Sequence, residues 1–197
     1  MENSIKDFKV NDLNSNKFVE PLKLTYNLNG INKQWEAVRS FDSVAVLLYH
    51  IQKNSFILVQ QFRPPVYLND KTKLCTYELC AGIVDKDLSL EQIVKEEIDE
   101  ECGYDVKLEN IKKVTSFYTN VGVSGAKQTL YFAKVSQDDC KHSGGGISDE
   151  QIELMYLPIE KIDEFLFDES KAKTPGLMFS FYWFMKNKNS LELESRV

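Results

Sequence analysis

Residues 82–104 read GIVDKDLSLEQIVKEEIDEECGY, and this stretch decides the fold. Between Lys95 and Tyr104 it packs five carboxylates, Glu96, Glu97, Asp99, Glu100 and Glu101, into six positions. Like charges at i,i+4 on a helix repel by a few tenths of a kcal/mol per pair, so something must neutralise them. Ser89 followed by Gln92 forms an S-x-x-Q capping box, which makes Ser89 the expected N-cap. Cys102-Gly103 supplies a glycine stop, so a helix is expected over residues 89–102. Leu90, Ile93, Val94, Ile98 and Cys102 form its apolar stripe. At about 100° per residue, Glu96 and Asp99 point away from that stripe, whereas Glu97 and Glu101 fall within it, about 40° apart. Glu100 lies at its edge.

Two readings compete for these acids. A charge run is usually a solvated face, and that accounts for Glu96 and Asp99. A carboxylate on a packed face must be paired, protonated or metal-bound. No lysine or arginine within the helix faces Glu97 and Glu101. A hard divalent cation, Mg²⁺ or with substitution Mn²⁺, suits two i,i+4 carboxylates supplemented by oxygens from elsewhere.

The rest of the chain reads outward from this helix. Residues 21–39 alternate polar and apolar around Asn29-Gly30 and predict a β-hairpin. Residues 43–50 and 55–62 predict a second, more buried pair joined by IQKN. The chain then leaves the sheet at Pro64-Pro65, which cannot donate to a ladder. One strand is expected over 76–84, two more over 111–120 and 127–135 around the loop VGVSG, and another over 151–158. Helices are expected over 159–168 and 176–187, and a mobile loop over 141–150. Strands interleaved with few helices imply an α/β domain with a mixed sheet flanked by helices.

Composition narrows the function. The chain has 197 residues, a net charge of −6 and a pI near 5.1, which speaks against an extended phosphate-backbone partner such as nucleic acid. No apolar run approaches the ~20 residues of a membrane span. The start, MENSIKDFKV, lacks a basic segment followed by an apolar run, so no signal peptide is expected. Cys75, Cys80, Cys102 and Cys140 are scattered without a CxxC and read as reduced thiols of a cytoplasmic protein. His50 and His142 are too few and too far apart for an imidazole-based zinc site, so any metal here is held by carboxylates.

The stretch 82–104 resembles the Nudix box, G-x5-E-x7-R-E-U-x-E-E-x-G-U, with U a bulky apolar residue. Gly82, Glu97, Ile98, Glu100, Glu101, Gly103 and Tyr104 fall on the pattern; Leu88 replaces its first glutamate and Glu96 its arginine. QQFRPPV, ELCAGIVD, SGAKQTLYF and GGGISDEQIEL, together with Trp35 and the apolar final helix, extend the likeness over most of residues 20–187. They resemble the nucleotide-sugar branch: the ADP-ribose pyrophosphatases and especially the animal UDP-sugar pyrophosphatases.

The resemblance implies a Nudix fold over residues 41–190, preceded by a β-hairpin dimerisation region at 1–40 and followed by a tail at 191–197. It implies Mg²⁺-dependent hydrolysis of a nucleoside diphosphate sugar, with UDP-glucose or ADP-ribose as substrate, in a homodimer. Glu97 and Glu101 resemble metal ligands, with Glu100 a third ligand or a close neighbour with a catalytic part. The Ala81 carbonyl resembles a main-chain ligand, and Glu150 the distal glutamate that binds metal or activates water. Arg63 resembles a substrate-contacting arginine.

Blander readings stand beside each of these. Arg63 could form a surface ion pair, and Glu150 could be a solvated loop acid with Asp149 its rival. Glu78, just ahead of the box, lines the site or faces a sheet edge. Phe117, Tyr118 and Tyr131 could stack a base, though strand aromatics are more often core. Phe179, Tyr182, Trp183 and Met185 are expected in core or dimer packing. The departures at Leu88 and Glu96 also leave room for a non-catalytic module that holds nucleotide sugars without cleaving them.

Overall fold

The computed structural model describes residues 5–13, 15, 18–147 and 150–191. The chain opens with strands β1 (Val19–Leu28) and β2 (Ile31–Ser40), paired antiparallel in full register from Val19↔Ser40 to Leu28↔Ile31. Their turn has Asn29 at φ 55° and Gly30 at φ 82°, the left-handed pair that matches strand twist in a two-residue hairpin. The Asn27 side chain locks it by accepting the Gly30 N–H at 3.0 Å.

Strands β3 (Ser43–His50) and β4 (Ser55–Gln61) follow as expected. They pair only near their own turn, through Leu48↔Ile57, Tyr49↔Phe56 and His50↔Ser55, and then splay apart. The segment expected as one strand over 76–84 enters the gap as two. β5 (Thr76–Glu78) pairs with β4, and β6 (Cys80–Ile83) pairs with β3. A single stretch of chain thereby satisfies the backbone groups of two diverging strands, and Leu79 is buried at the crossing. Arg63 ends the excursion from β4, and Pro64 opens a short helix α1 (Pro64–Asn69), where a proline at the first turn is tolerated.

After helix α2 (Leu90–Glu97) come β7 (Lys112–Tyr118), β8 (Lys127–Val135), β9 (Glu153–Pro158), α3 (Ile162–Phe167), β10 (Ala172–Lys173) and α4 (Pro175–Asn187). Among the described residues the main sheet has eight strands. β8 runs parallel to β3, β9 antiparallel to β4, and β10 parallel to β5, so the sheet is mixed.

Period-two alternation along β3 sorts the core. Val44, Val46 and Leu48 face α2 with Ile93, Val94, Ile98 and Cys102. Ala45, Leu47 and Tyr49 face α3 and α4 with Phe165, Leu177, Phe181 and Phe184. Of the four residues expected in core or dimer packing, Trp183 lies against the core and Phe179 meets Phe117 edge to face at 6.0 Å, while Tyr182 and Met185 are exposed on the single chain. The helix-packing rows run through Leu177, Phe181 and Phe184, and an all-apolar helix gives no stripe from which to choose them. Among the described residues, no helix is long and apolar enough to cross a membrane.

Candidate active site

The acidic helix begins as the capping box dictates. Ser89 accepts the Gln92 N–H at 3.2 Å and donates its own N–H to the Gln92 side chain at 2.9 Å. It does not stay α-helical to residue 102. After Glu97 the backbone widens into a π turn over Ile98–Cys102 and stops at Gly103, φ 77°. Such turns gather at functional sites. This one ends beneath Gly82 and Ala81, at the place where the sheet splits.

Glu101 is 5% exposed. Its Oε2 accepts the Ala81 N–H at 3.0 Å, yet burial pushes its carboxyl up to about 8, with the charges of Glu97 and Glu150 adding to the rise. Glu97 is pushed up to about 7, first by burial and then by Glu100, with Lys86 opposing. Gly82 is required by contact. A Cβ there would stand 1.9 Å from Glu97 Oε1, so only glycine lets that carboxylate lie against β6.

Lys86, in the loop before the helix, supplies a cation beside these acids, whereas the helix's own Lys95 is paired with Asp105. Its Nζ lies 2.6 Å from Glu96 Oε2, and its charge reaches Glu97 and Glu100. A lysine ten residues from its partner carries no helical spacing, so nothing in the pattern pointed to it. Part of the charge on the acidic helix is therefore answered from a loop.

Arg63 and Glu78, both candidates from sequence, are brought together. Arg63 Nε and Nη2 donate to the two carboxylate oxygens of Glu78, each at 2.8 Å, a bidentate pair. Thr76 also donates to Glu78. The pair holds Arg63 charged, and the acids Glu101 and Glu150 strengthen that, which sets the guanidinium within the field of the same cluster.

Glu150 reaches the cluster from the loop after β8. Its Oε2 accepts the Ile147 N–H at 2.9 Å, and its charge acts on Glu97, Glu101 and Arg63. Asp149, its rival, lies outside the described residues. The glycines of this loop are fastened rather than free. Gly145 and Gly146 donate to the carbonyls of Glu101 and Glu100 at 2.9 and 3.1 Å, capping the π turn. Gly144, φ 66°, comes so close that a Cβ would sit 2.3 Å from the Glu101 carbonyl oxygen. His142 accepts the Gly144 N–H on Nδ1 and faces Asp99 with Nε2 at 3.2 Å.

Among the described residues, no three acidic, histidine or cysteine side chains are drawn to one point as a ready cage. Even so, the donor set fits a hard cation. It is all oxygen, it is partly desolvated, and it holds two carboxyls whose charged forms are penalised by burial and by their acidic neighbours.

A recess of about 200 Å³ adjoins this cluster, lined by Glu78, Ala81, Phe117 and Tyr118. Tyr131 takes no part. It is fully buried and donates its hydroxyl to Glu91 at 2.9 Å, which is the core reading rather than base stacking. A larger cleft of about 570 Å³ lies on the solvent side of α2 against Lys95, Glu96 and Asp99, and neither Glu97, Glu101 nor Glu150 lines it.

A polar site where the sheet splits, fed by carboxylates from one π-widened helix, matches the box read from sequence, and the chain belongs to the Nudix hydrolases, among the nucleotide-sugar pyrophosphatases. No family model matches it. The chain is 34% identical over 195 residues to the uridine diphosphate glucose pyrophosphatase NUDT14 of Bos taurus, covering 85% of this chain and 88% of that protein. It is 29% identical over 195 residues to the Mus musculus protein of the same name, with the same coverage. A GDP-mannose pyrophosphatase of Pectobacterium atrosepticum is 37% identical over 122 residues, 61% of each chain.

Proposed function

We propose that this chain hydrolyses the pyrophosphate bond of nucleoside diphosphate sugars, splitting UDP-glucose to UMP and glucose 1-phosphate with Mg²⁺ as cofactor and Mn²⁺ as a substitute. The observation that carries it is the pair Glu97 and Glu101, two carboxylates held on a packed face with their pKa values raised, facing Glu150 and Arg63. Relatives named for UDP-glucose and for GDP-mannose supply the substrate class.

Glu97 and Glu101 would hold the cation, with Glu100 and the Ala81 carbonyl completing its oxygen shell. Bound there, a divalent ion masks phosphate charge and lowers the pKa of water. Glu150 takes the proton from the attacking water. Arg63 uses the N–H groups not engaged by Glu78 to hold a phosphate oxygen. Gly145 and Gly146, bonded to the Glu100 and Glu101 carbonyls, keep the loop carrying Glu150 over the metal ligands.

The departures from the box do not favour a silent binding module. Leu88 is exposed at the loop, and Glu96 points to solvent and is paired by Lys86. Glu96 adds only the last of the pushes that raise Glu97, well behind burial and Glu100.

The working unit is a homodimer in the cytoplasm. One face of the hairpin carries Leu22, Leu24, Tyr26, Leu28, Ile31 and Trp35, with Leu24, Tyr26, Leu28, Ile31 and Trp35 all largely exposed. An uncovered two-stranded ribbon is marginal in water, and a second copy would cover it. The cysteines are all free thiols, in keeping with a reducing compartment.

A panel of UDP-glucose, ADP-ribose, GDP-mannose and diadenosine polyphosphates with Mg²⁺ or Mn²⁺ tests the reading. UDP-glucose turnover that disappears in chelator is expected. A wild-type chain that turns over none of them refutes it, and much faster cleavage of ADP-ribose keeps the mechanism but changes the substrate.

A further inference from the structure

Resting on the nucleotide-sugar reading above, we propose that the recess beside Ala81 and Glu78 seats the uracil ring of the substrate, with Gln128 reading its edge. The recess shares Ala81 with the acid cluster, whose Glu101 is bonded to that residue's N–H. A molecule with its pyrophosphate over Glu97 and Glu101 can therefore place its next group here.

The lining combines apolar faces with the polar groups of Glu78, Thr119, Gln128 and Thr174, which suits a flat ring with a polar edge. Ala45 and Leu79 form a buried apolar floor, Phe117 gives a half-buried aromatic wall, and Tyr118, 62% exposed, stands at the rim. A hexose, with a hydroxyl on most carbons, would leave those groups unpaired against such a floor, whereas a base needs an apolar slot and one or two polar contacts. The recess encloses about 200 Å³, room for a planar nucleobase ring.

Gln128 supplies the polar contact in a fixed pose. Its Nε2 donates to Ser43 Oγ at 3.2 Å, across the parallel pairing of β3 with β8. Among the described residues, nothing donates to its Oε1, and that oxygen faces Gly176, where a Cβ would lie 2.7 Å from it. An acceptor held this way meets the N3–H of uracil, while the second N–H of the same amide meets the adjacent carbonyl. Gly176 keeps the slot open: its missing methyl would also stand 3.2 Å from Phe117 Cζ.

The experiment is steady-state kinetics of the full chain with Mg²⁺ on UDP-glucose, UDP-galactose and ADP-glucose, beside calorimetric titration with UMP. Gln128→Met keeps the volume and removes both hydrogen bonds. The ratio of kcat/KM for UDP-glucose over ADP-glucose should fall tenfold to a hundredfold, on the scale of one bidentate base contact. The loss should fall on KM, and UMP should bind at least tenfold more weakly. Gly176→Ala, which suits the first turn of α4, should move both readouts in the same direction by crowding Gln128.

An unchanged substrate ratio, or an equal loss on every substrate, overturns the assignment. So does a wild-type preference for ADP-glucose, or a variant that alters only the UDP-glucose to UDP-galactose ratio, which would make the recess a sugar seat. UMP binding equal in wild type and Gln128→Met refutes it whether or not the chain is active. Failure of the hydrolytic reading is separately visible, as a wild type that cleaves nothing yet binds UMP through Gln128.

Discussion

Glu101→Gln should make the metal-free protein more stable at alkaline pH, though it removes a proposed metal ligand. Glu101 is 5% exposed, and its carboxyl is raised from 4.5 to about 8, mostly by burial. Between those values the folded chain keeps a proton that the unfolded chain has released. Stability from this group is thus fully present below pH 4.5 and is lost as pH rises through 8. At ~1.36 kcal/mol per pH unit the ceiling on that loss is roughly 5 kcal/mol. Relaxation around a buried charge brings the expected value to about 2–4 kcal/mol. Glutamine has no charge to desolvate and can still accept the Ala81 N–H. In a chain of this size ~1 kcal/mol moves Tm by roughly 2–4 °C. In chelator at pH 9, Glu101→Gln should therefore melt roughly 5–15 °C above wild type, and at pH 5 the two should coincide. Added Mg²⁺ should raise wild-type Tm by mass action, about 2.7 kcal/mol at a hundred times Kd, and should leave the variant nearly unmoved. Calorimetry or dye-based melting at the two pH values, with and without Mg²⁺, decides it. A variant less stable than wild type at pH 9 in chelator, or an undiminished Mg²⁺ increment, would refute the reasoning.

Glu150→Gln should lower kcat by about 10²-fold or more with a smaller change in KM, the size of a general-base contribution; a near wild-type rate in a UDP-glucose assay would move the base to Asp149 or Glu100. Lys86→Ala releases Glu96 and removes the cation opposing the rise at Glu97. It should therefore shift the alkaline loss of metal-free stability to higher pH, which a melting series across pH 6–9 reads. Glu96→Ala should change kcat by less than about threefold, since Glu96 sits on the solvent side; a hundredfold loss would mean that the helix is oriented differently. Trp35 is 53% exposed and donates Nε1 to the Gly122 carbonyl at 2.9 Å. Leu24→Lys and Trp35→Lys together should convert a dimer to a monomer in light scattering at micromolar concentration, and a wild-type monomer there would end the dimer proposal.

The hairpin, the β3–β4 pair, the start of α2 and the identity of the box were legible in the sequence because each rests on local rules. Asn29-Gly30 requires left-handed backbone that few other residues adopt, Ser89 and Gln92 cap each other three residues apart, and alternation along β3 sorts its side chains between two faces. Helical periodicity placed Glu97 on the packed face, and Glu101 is buried there too, but it reaches that face through the π turn, which the spacing did not foretell. Tertiary structure decided the rest. That 76–84 is two strands follows from the splaying of β3 and β4, which no local pattern encodes. The pairing of Arg63 with Glu78, the reach of Lys86 to Glu96 and the fastening of Gly145 and Gly146 to the π turn join residues 10 to 46 positions apart. Contacts at such distances depend on where whole elements dock, and docking is set by the packing of the two cores on either side of the sheet. The raised carboxyls belong to the same category. A glutamate's charge is written in the sequence, but the water it loses is removed only by β6 and the loop that close over it.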